Sequence, residues 1–170
     1  MTTEPVIEHR GAKNYVAIET RVHMNEIPAV LPALIPKVYA WLNDRSIPAA
    51  GAPFFRYLAM NEKHELDVEV GVPVEQATQG DGEINAGFFT EGSYGVMTYT
   101  GDYKFMREAH MKLDAWLKQH GWREHFQVTS THPKLGARTE FYINDPKVET
   151  DPAKWITEIV MLVTPAKEAV

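Results

Sequence analysis

Gly136-Ala137-Arg138-Thr139-Glu140-Phe141-Tyr142 has a counterpart upstream in Gly51-Ala52-Pro53-Phe54-Phe55-Arg56-Tyr57, and both begin Gly-Ala and end in Tyr. The match continues on either side. Upstream lie Ala40-Trp41-Leu42 and Ala115-Trp116-Leu117, each near the end of an apolar-periodic stretch. Earlier still stand Tyr15-Val16-Ala17-Ile18 and Tyr94-Gly95-Val96-Met97. Downstream come Val68-Glu69-Val70-Gly71-Val72-Pro73-Val74 and Thr157-Glu158-Ile159-Val160-Met161-Leu162-Val163, each with one Glu at the second position of an apolar strand. Four matched pieces in the same order define an internal duplication rather than a solenoid, which needs more copies. The differences in spacing are loop length, chiefly an insertion around residues 127–135.

Each copy reads strand, helix, strand, strand. Residues 14–22 alternate as a half-buried strand does. Asn25 is the expected N-cap of the first helix. Pro32 and Pro36 limit its regular part to about residues 33–44. The second helix is expected to start at Asp102, to bury Met106, Ala109, Leu113, Trp116 and Leu117 on one face, and to stop at Gly121. The runs 54–60 and 65–74 pair through a polar turn, as do 138–144 and 154–164. The predicted fold is α+β: a pseudo-twofold duplication, with an antiparallel sheet, helices on one face and a central ligand groove on the other. Residues 1–170 form one domain, with copy one at about 5–76, a linker at about 77–90 and copy two at about 91–166.

Composition narrows the function. A chain of 170 residues with 44% hydrophobic and 24% charged residues has globular proportions. No apolar run approaches the roughly 20 residues of a membrane helix, and the N-terminus lacks a signal-peptide layout. Together these point to a cytoplasmic protein with no membrane partner. Absence of cysteine excludes disulfides, thiolate metal sites and a Cys nucleophile. The net charge of −6 and the lack of a basic stripe argue against direct nucleic-acid binding. Seven histidines, at 9, 23, 64, 110, 120, 125 and 132, show no metal spacing. Neither a Gly-x-Ser-x-Gly elbow nor a Gly-rich phosphate loop occurs, so no cofactor is expected.

The string 136–146, Gly-Ala-Arg-Thr-Glu-Phe-Tyr-Ile-Asn-Asp-Pro, followed by Trp155-Ile156-Thr157-Glu158-Ile159, resembles the C-terminal signature of the GyrI-like small-molecule-binding domain. This domain is also the effector-binding part of many AraC-type and MerR-type regulators. Phe54-Phe55-Arg56-Tyr57 and Glu69-Val70-Gly71-Val72-Pro73-Val74 resemble its first-half signature. Tyr99-Thr100-Gly101-Asp102-Tyr103, Trp116-Leu117 and His120-Gly121 are similar to the ends of its second helix. The resemblance implies a pseudo-symmetric α+β fold with a central ligand groove. In drug-sensing members a glutamate of the Glu-x-Tyr strand receives flat cationic compounds, and that position here is Glu140, with Tyr142 beside it. Other members are implied to hydrolyse strained cyclopropane compounds or to restrain DNA gyrase. No helix-turn-helix precedes the first strand, so a stand-alone ligand-binding domain is expected rather than a complete regulator.

Strand alternation puts Glu140 and Tyr142 on one face, and the repeat adds Phe55 and Tyr57. An aromatic wall around one carboxylate suits a flat cation, through stacking and cation–π contacts worth roughly 0.5–2 kcal/mol each. The plainer alternative makes the tyrosines core residues and Glu140 a surface charge. Trp41 and Trp116 are core residues or binding platforms. Glu158 shares its face with Ile156, Val160 and Leu162, so it is paired, protonated or turned toward the groove. Together with Glu140 it is the one candidate catalytic pair. Glu69, its repeat partner, faces the groove side or solvent. The partner expected is a small organic molecule, flat, aromatic or cationic, held without turnover; hydrolysis by the two glutamates, or pressing on gyrase or a regulator, are the alternatives.

Overall fold

The computed structural model describes residues 1–129, 135, 136 and 138–166. The chain runs β1 (Val6–Arg10), β2 (Lys13–His23), α1 (Ile27–Val30), α2 (Ile35–Asp44), β3 (Phe54–Met60), β4 (Glu65–Pro73), β5 (Asn85–Phe89), β6 (Gly92–Thr100), α3 (Met106–Gln119), β7 (Trp122–Glu124), β8 (Arg138–Tyr142) and β9 (Ile156–Pro165). Eight strands lie in the order β1-β6-β9-β8-β3-β4-β2-β5, and β7 pairs with β9. The run β6-β9-β8 repeats β2-β4-β3, and the halves meet where β8 pairs antiparallel with β3. Phe55 lies opposite Glu140. These two residues are equivalents in the repeat, so the pseudo-twofold axis passes between them. This is the duplicated α+β sandwich implied by the sequence.

The outer strands are exchanged between halves. β1 leads into β2 but pairs with β6; β5 leads into β6 but pairs with β2. Five residues of the segment expected as a linker are therefore part of the sheet. Gly87 makes that pairing possible, because a Cβ there would lie 2.7 Å from the Tyr15 ring.

Prolines shape the first helical region. His23 caps it, not Asn25: its ring accepts from the Asn25 amide, and Glu26 reaches back to the His23 amide. Beyond this cap the helix is broken into pieces. A 3-10 turn precedes the four-residue α1, a second 3-10 turn spans Pro32–Leu34, and only then does α2 run regularly. Each proline sits in the first turn of its own short segment, where the missing N–H breaks no helical bond. The second region is cleaner. Asp102 accepts from the Lys104 amide, and Gly121, at φ +80, ends the helix. Most of the 127–135 insertion, with His132, lies outside the described residues.

Both faces of the sheet are buried. On one, Val16, Ile18 and Val72 pack against Val38, Trp41 and Leu42 of α2, while Met97, Ile159 and Met161 pack against α3. Tyr15, Ala17 and Phe54 form one cluster of the opposite face, and Tyr94, Val96, Val160 and Leu162 another. Among the described residues the buried polar side chains, Arg56, Thr139, Glu140 and Thr157, lie on the central strands.

Candidate functional site

Glu140 occupies the middle of β8, opposite Phe55 on one side and Ile159 on the other. That register turns it to the helix-bearing face, with only 6% of the residue exposed. A carboxylate so placed needs partners. Its Oε1 accepts from the Tyr142 hydroxyl at 2.6 Å and the Tyr57 hydroxyl at 3.2 Å. Its Oε2 lies 2.6 Å from Nε2 of His110 on α3.

The imidazole's orientation is set by its other neighbour. Arg138 Nη1, which can only donate, lies 3.2 Å from His110 Nδ1. Nδ1 therefore accepts, and Nε2 carries the hydrogen given to Glu140. Arg138 is itself balanced by Asp114 at 2.8 Å and Glu124 at 3.0 Å. Among the described residues, the carboxylate of Glu140 is thus met by two phenols and an imidazole, and by no lysine or arginine. Burial, then the Glu140 charge, pushes the Tyr57 and Tyr142 hydroxyls well above the usual tyrosine range, so both remain donors.

Aromatic and apolar side chains surround this centre. Phe55 meets Tyr142 edge-on, ring centroids 4.8 Å apart. Tyr103 lies 5.7 Å from Tyr142 and stacks on Trp155 at 4.4 Å. Its hydroxyl is buried with no hydrogen-bond partner among the described residues. Burial, reinforced by Asp145 and Glu140, pushes it up to about 12. Ile27, Val30, Leu31, Leu34 and Ile35, from the proline-broken segment, share one apolar cluster with Phe55, Tyr57 and Tyr142.

The structure therefore brings together Glu140, Tyr142, Tyr57 and Phe55, on the face that also carries the helices. Trp41 and Trp116 do not join them. Trp41 packs on the β2–β4 valines, with its Nε1 donating to Asp81 at 2.9 Å. Trp116 stacks on His120 and donates to Glu4 at 3.0 Å. Nor does Glu158 share the Glu140 site. Glu140 lies opposite Ile159 while Glu158 lies opposite Phe141, and neighbours along a strand point to opposite faces. The two glutamates cannot divide acid and base roles in one groove. Glu69 faces the helix-free side, bonded to Tyr15 and Arg56. His110, Arg138 and Tyr103 were not legible as site residues. His110 flanks the apolar stripe of α3, between Met106 and Leu113, which was the available signal. Among the described residues no group of three or more His, Asp or Glu side chains is placed to hold a metal.

The family model described as the GyrI-like small molecule binding domain matches residues 3–164. No curated protein sequence matches. Among solved structures, the C-terminal domain of EcmrR superposes with a TM-score of 0.72 at 17% identity, covering 95% of this chain and 98% of that one. In the EcmrR–DNA complex the TM-score is 0.75 at 18% identity, and this chain spans 57% of that protein's length. SAV2435 bound to tetraphenylphosphonium gives 0.60 at 14% identity, with 95% and 94% covered. A hydrolase from Listeria innocua gives 0.60 at 12% identity, with 95% and 92% covered.

Proposed function

Because this chain belongs to the GyrI-like small-molecule-binding domain family, we propose that it holds an aromatic organic cation over Glu140. One observation carries the reading: a buried carboxylate whose close partners are two phenols and an imidazole that takes a hydrogen bond from Arg138 at its other nitrogen. Uncharged donors satisfy its lone pairs but leave its charge uncompensated, and a desolvated cation among aromatic rings supplies what is missing. The tetraphenylphosphonium held by SAV2435 is a ligand of this kind.

Access requires the apolar cover to move. The segment from Ile27 to Ile35 is made of short helical pieces punctuated by Pro28 and Pro32, and neither α1 nor the 3-10 turn after it contributes a buried residue. Leu31 alone is fully buried. Few buried contacts and short ladders belong to the low-stability end of a structure, where lids are found. Displacing this cover exposes Phe55, Tyr57 and Tyr142 to the ligand.

Tetraphenylphosphonium titration of the wild type and Glu140→Gln tests the reading. Binding should weaken at least tenfold in the variant, while a neutral aromatic of similar size shows no such loss. Equal affinity for the cation in both proteins would remove Glu140 from the site.

A hydrolytic reading keeps one supporting observation, the Arg138–His110–Glu140 chain, which leaves a carboxylate oriented by an imidazole. General-base catalysis by such a group contributes about 10²–10⁴-fold. It predicts product from an electrophilic cyclopropane substrate, lost in Glu140→Gln and retained in Glu158→Gln.

A further inference from the structure

The helix-free face carries a second pair of equivalent carboxylates, Glu69 and Glu158. Each lies near an equivalent tyrosine, Tyr15 or Tyr94, and near one arginine and one phenylalanine. The last two have changed places between the halves. Arg56 of β3 corresponds to Phe141 of β8, while Phe89 of β5 corresponds to Arg10 of β1. The registers agree: Glu69 lies opposite Arg56 and Glu158 opposite Phe141. The guanidinium comes from a central strand in the first half and from the exchanged edge strand in the second.

This swap makes the halves unequal. Around Glu69, the Tyr15 hydroxyl donates at 2.6 Å and Arg56 Nη1 donates at 3.3 Å, while the same Nη1 also reaches the Tyr15 oxygen at 2.6 Å. Phe89 closes over them, 4.8 Å from Tyr15 and 5.0 Å from Phe54. The Glu69 and Arg56 side chains are 13% and 9% exposed. Around Glu158 the closure is missing. Arg10 reaches it through Nη1 at 3.3 Å, but its Nε and Nη2 are tied to Glu8 at 3.0 and 2.9 Å. The Tyr94 hydroxyl turns away to the Thr90 carbonyl. Glu158 remains 28% exposed, and no other partner reaches it among the described residues.

Beside Glu158 is a cleft of about 350 Å³, walled by Phe89, Tyr94, Phe141 and Val160 and edged by Arg10 and Lys13. That size is at the lower end of small-molecule sites. Each carboxylate at its mouth has a cation within reach: Glu8 and Glu158 share Arg10, and Glu75 lies 3.7 Å from Lys13. Glu158 differs from Glu140 in having a guanidinium beside it.

We propose that this cleft is a second ligand site, on the opposite face of the sheet from Glu140, for a compact uncharged aromatic molecule bearing an N–H or O–H donor. The ring rests on Phe89, Tyr94 and Phe141, and the donor bonds to Glu158, taking the place that the tyrosine hydroxyl fills at Glu69. The reading does not depend on what Glu140 binds.

Indole and 1-methylindole are matched probes, since they share a ring system and only indole carries the donor. They are titrated into the full ¹⁵N-labelled chain. Indole should give saturable shifts at the Gly11, Gly51 and Glu158 amides and bind about fivefold tighter than 1-methylindole, the worth of one hydrogen bond. The preference should vanish in Glu158→Val and persist in Glu140→Gln. Ala52→Phe, which fills the cleft and leaves Glu158 intact, should abolish the shifts, with thermal unfolding showing that it remains folded. Equal binding of the two probes to the wild type, or shifts that survive Ala52→Phe or depend on Glu140, would overturn the proposal.

Discussion

Tyr103 shows how a single residue reports on the site. Its ring is held by Trp155 and Tyr142, yet its hydroxyl is buried with no acceptor among the described residues. A buried donor left unmade costs about 1–3 kcal/mol. Tyr103→Phe should therefore leave stability unchanged or raise it by about 1 kcal/mol in urea unfolding. A loss of about 2 kcal/mol or more would mean that the hydroxyl has a partner. Tyr57 and Tyr142 are the opposite case, since both donate to Glu140. Replacing Tyr142 by Phe should cost about 1–3 kcal/mol, because it strips a buried carboxylate of its shorter phenol bond. The same hydroxyls set an alkaline limit. Their folded values lie above the ordinary tyrosine value, so the folded state holds its protons where the unfolded chain releases them. This contribution is fully present below about pH 10 and is lost as pH rises beyond it. Tyrosinate absorbance should therefore appear together with unfolding, and ionisation of most tyrosines in a still-folded protein would contradict the assignment.

At the scale of elements, the two helical regions are equivalent in the repeat and unequal in build. α3 is a continuous helix of 14 residues whose Leu113 is fully buried. Leu113→Ala should cost about 2–5 kcal/mol in chemical denaturation. The region from Ile27 to Ile35 is broken into short turns and belongs to the apolar cluster that holds Phe55 and Tyr142. Its amides should exchange with deuterium much faster than those of α3, and a ligand at Glu140 should change that rate. Exchange as slow as in α3 would argue against a mobile cover. Much of this was legible: Pro32 and Pro36 announce a broken helix, and Asp102 and Gly121 announce a clean one. The cap was misplaced because His23 rather than Asn25 supplies the accepting side chain. β5 was hidden because five residues containing a glycine carry no periodicity of their own; their pairing with β2 is a tertiary fact.

In the whole molecule, duplication explains both what the sequence disclosed and what it concealed. Alternation within strands, applied to two copies, places Glu140, Tyr142, Phe55 and Tyr57 together, because pairing of equivalent strands at a pseudo-twofold axis makes equivalent residues neighbours. Alternation cannot relate β8 to β9 without their register. Glu158 was for that reason grouped with Glu140 when it belongs to the opposite face. His110 reaches Glu140 from a helix 30 residues away, a contact only the packing of α3 reveals. Trp41 and Trp116 take the commoner role of a tryptophan on an apolar helix face and pack against the core. The same duplication gives the sheet two carboxylate clusters on its helix-free side, one sealed and one open.

On the proposed function, the buried Glu140 carboxylate selects a cation. Calorimetric titration of tetraphenylphosphonium into the wild type and Glu140→Gln tests it most directly. The wild type should bind saturably at one site, and binding should weaken at least tenfold with a substitution that keeps the shape and removes the charge. Undiminished binding by Glu140→Gln, with the variant fully folded, would contradict it.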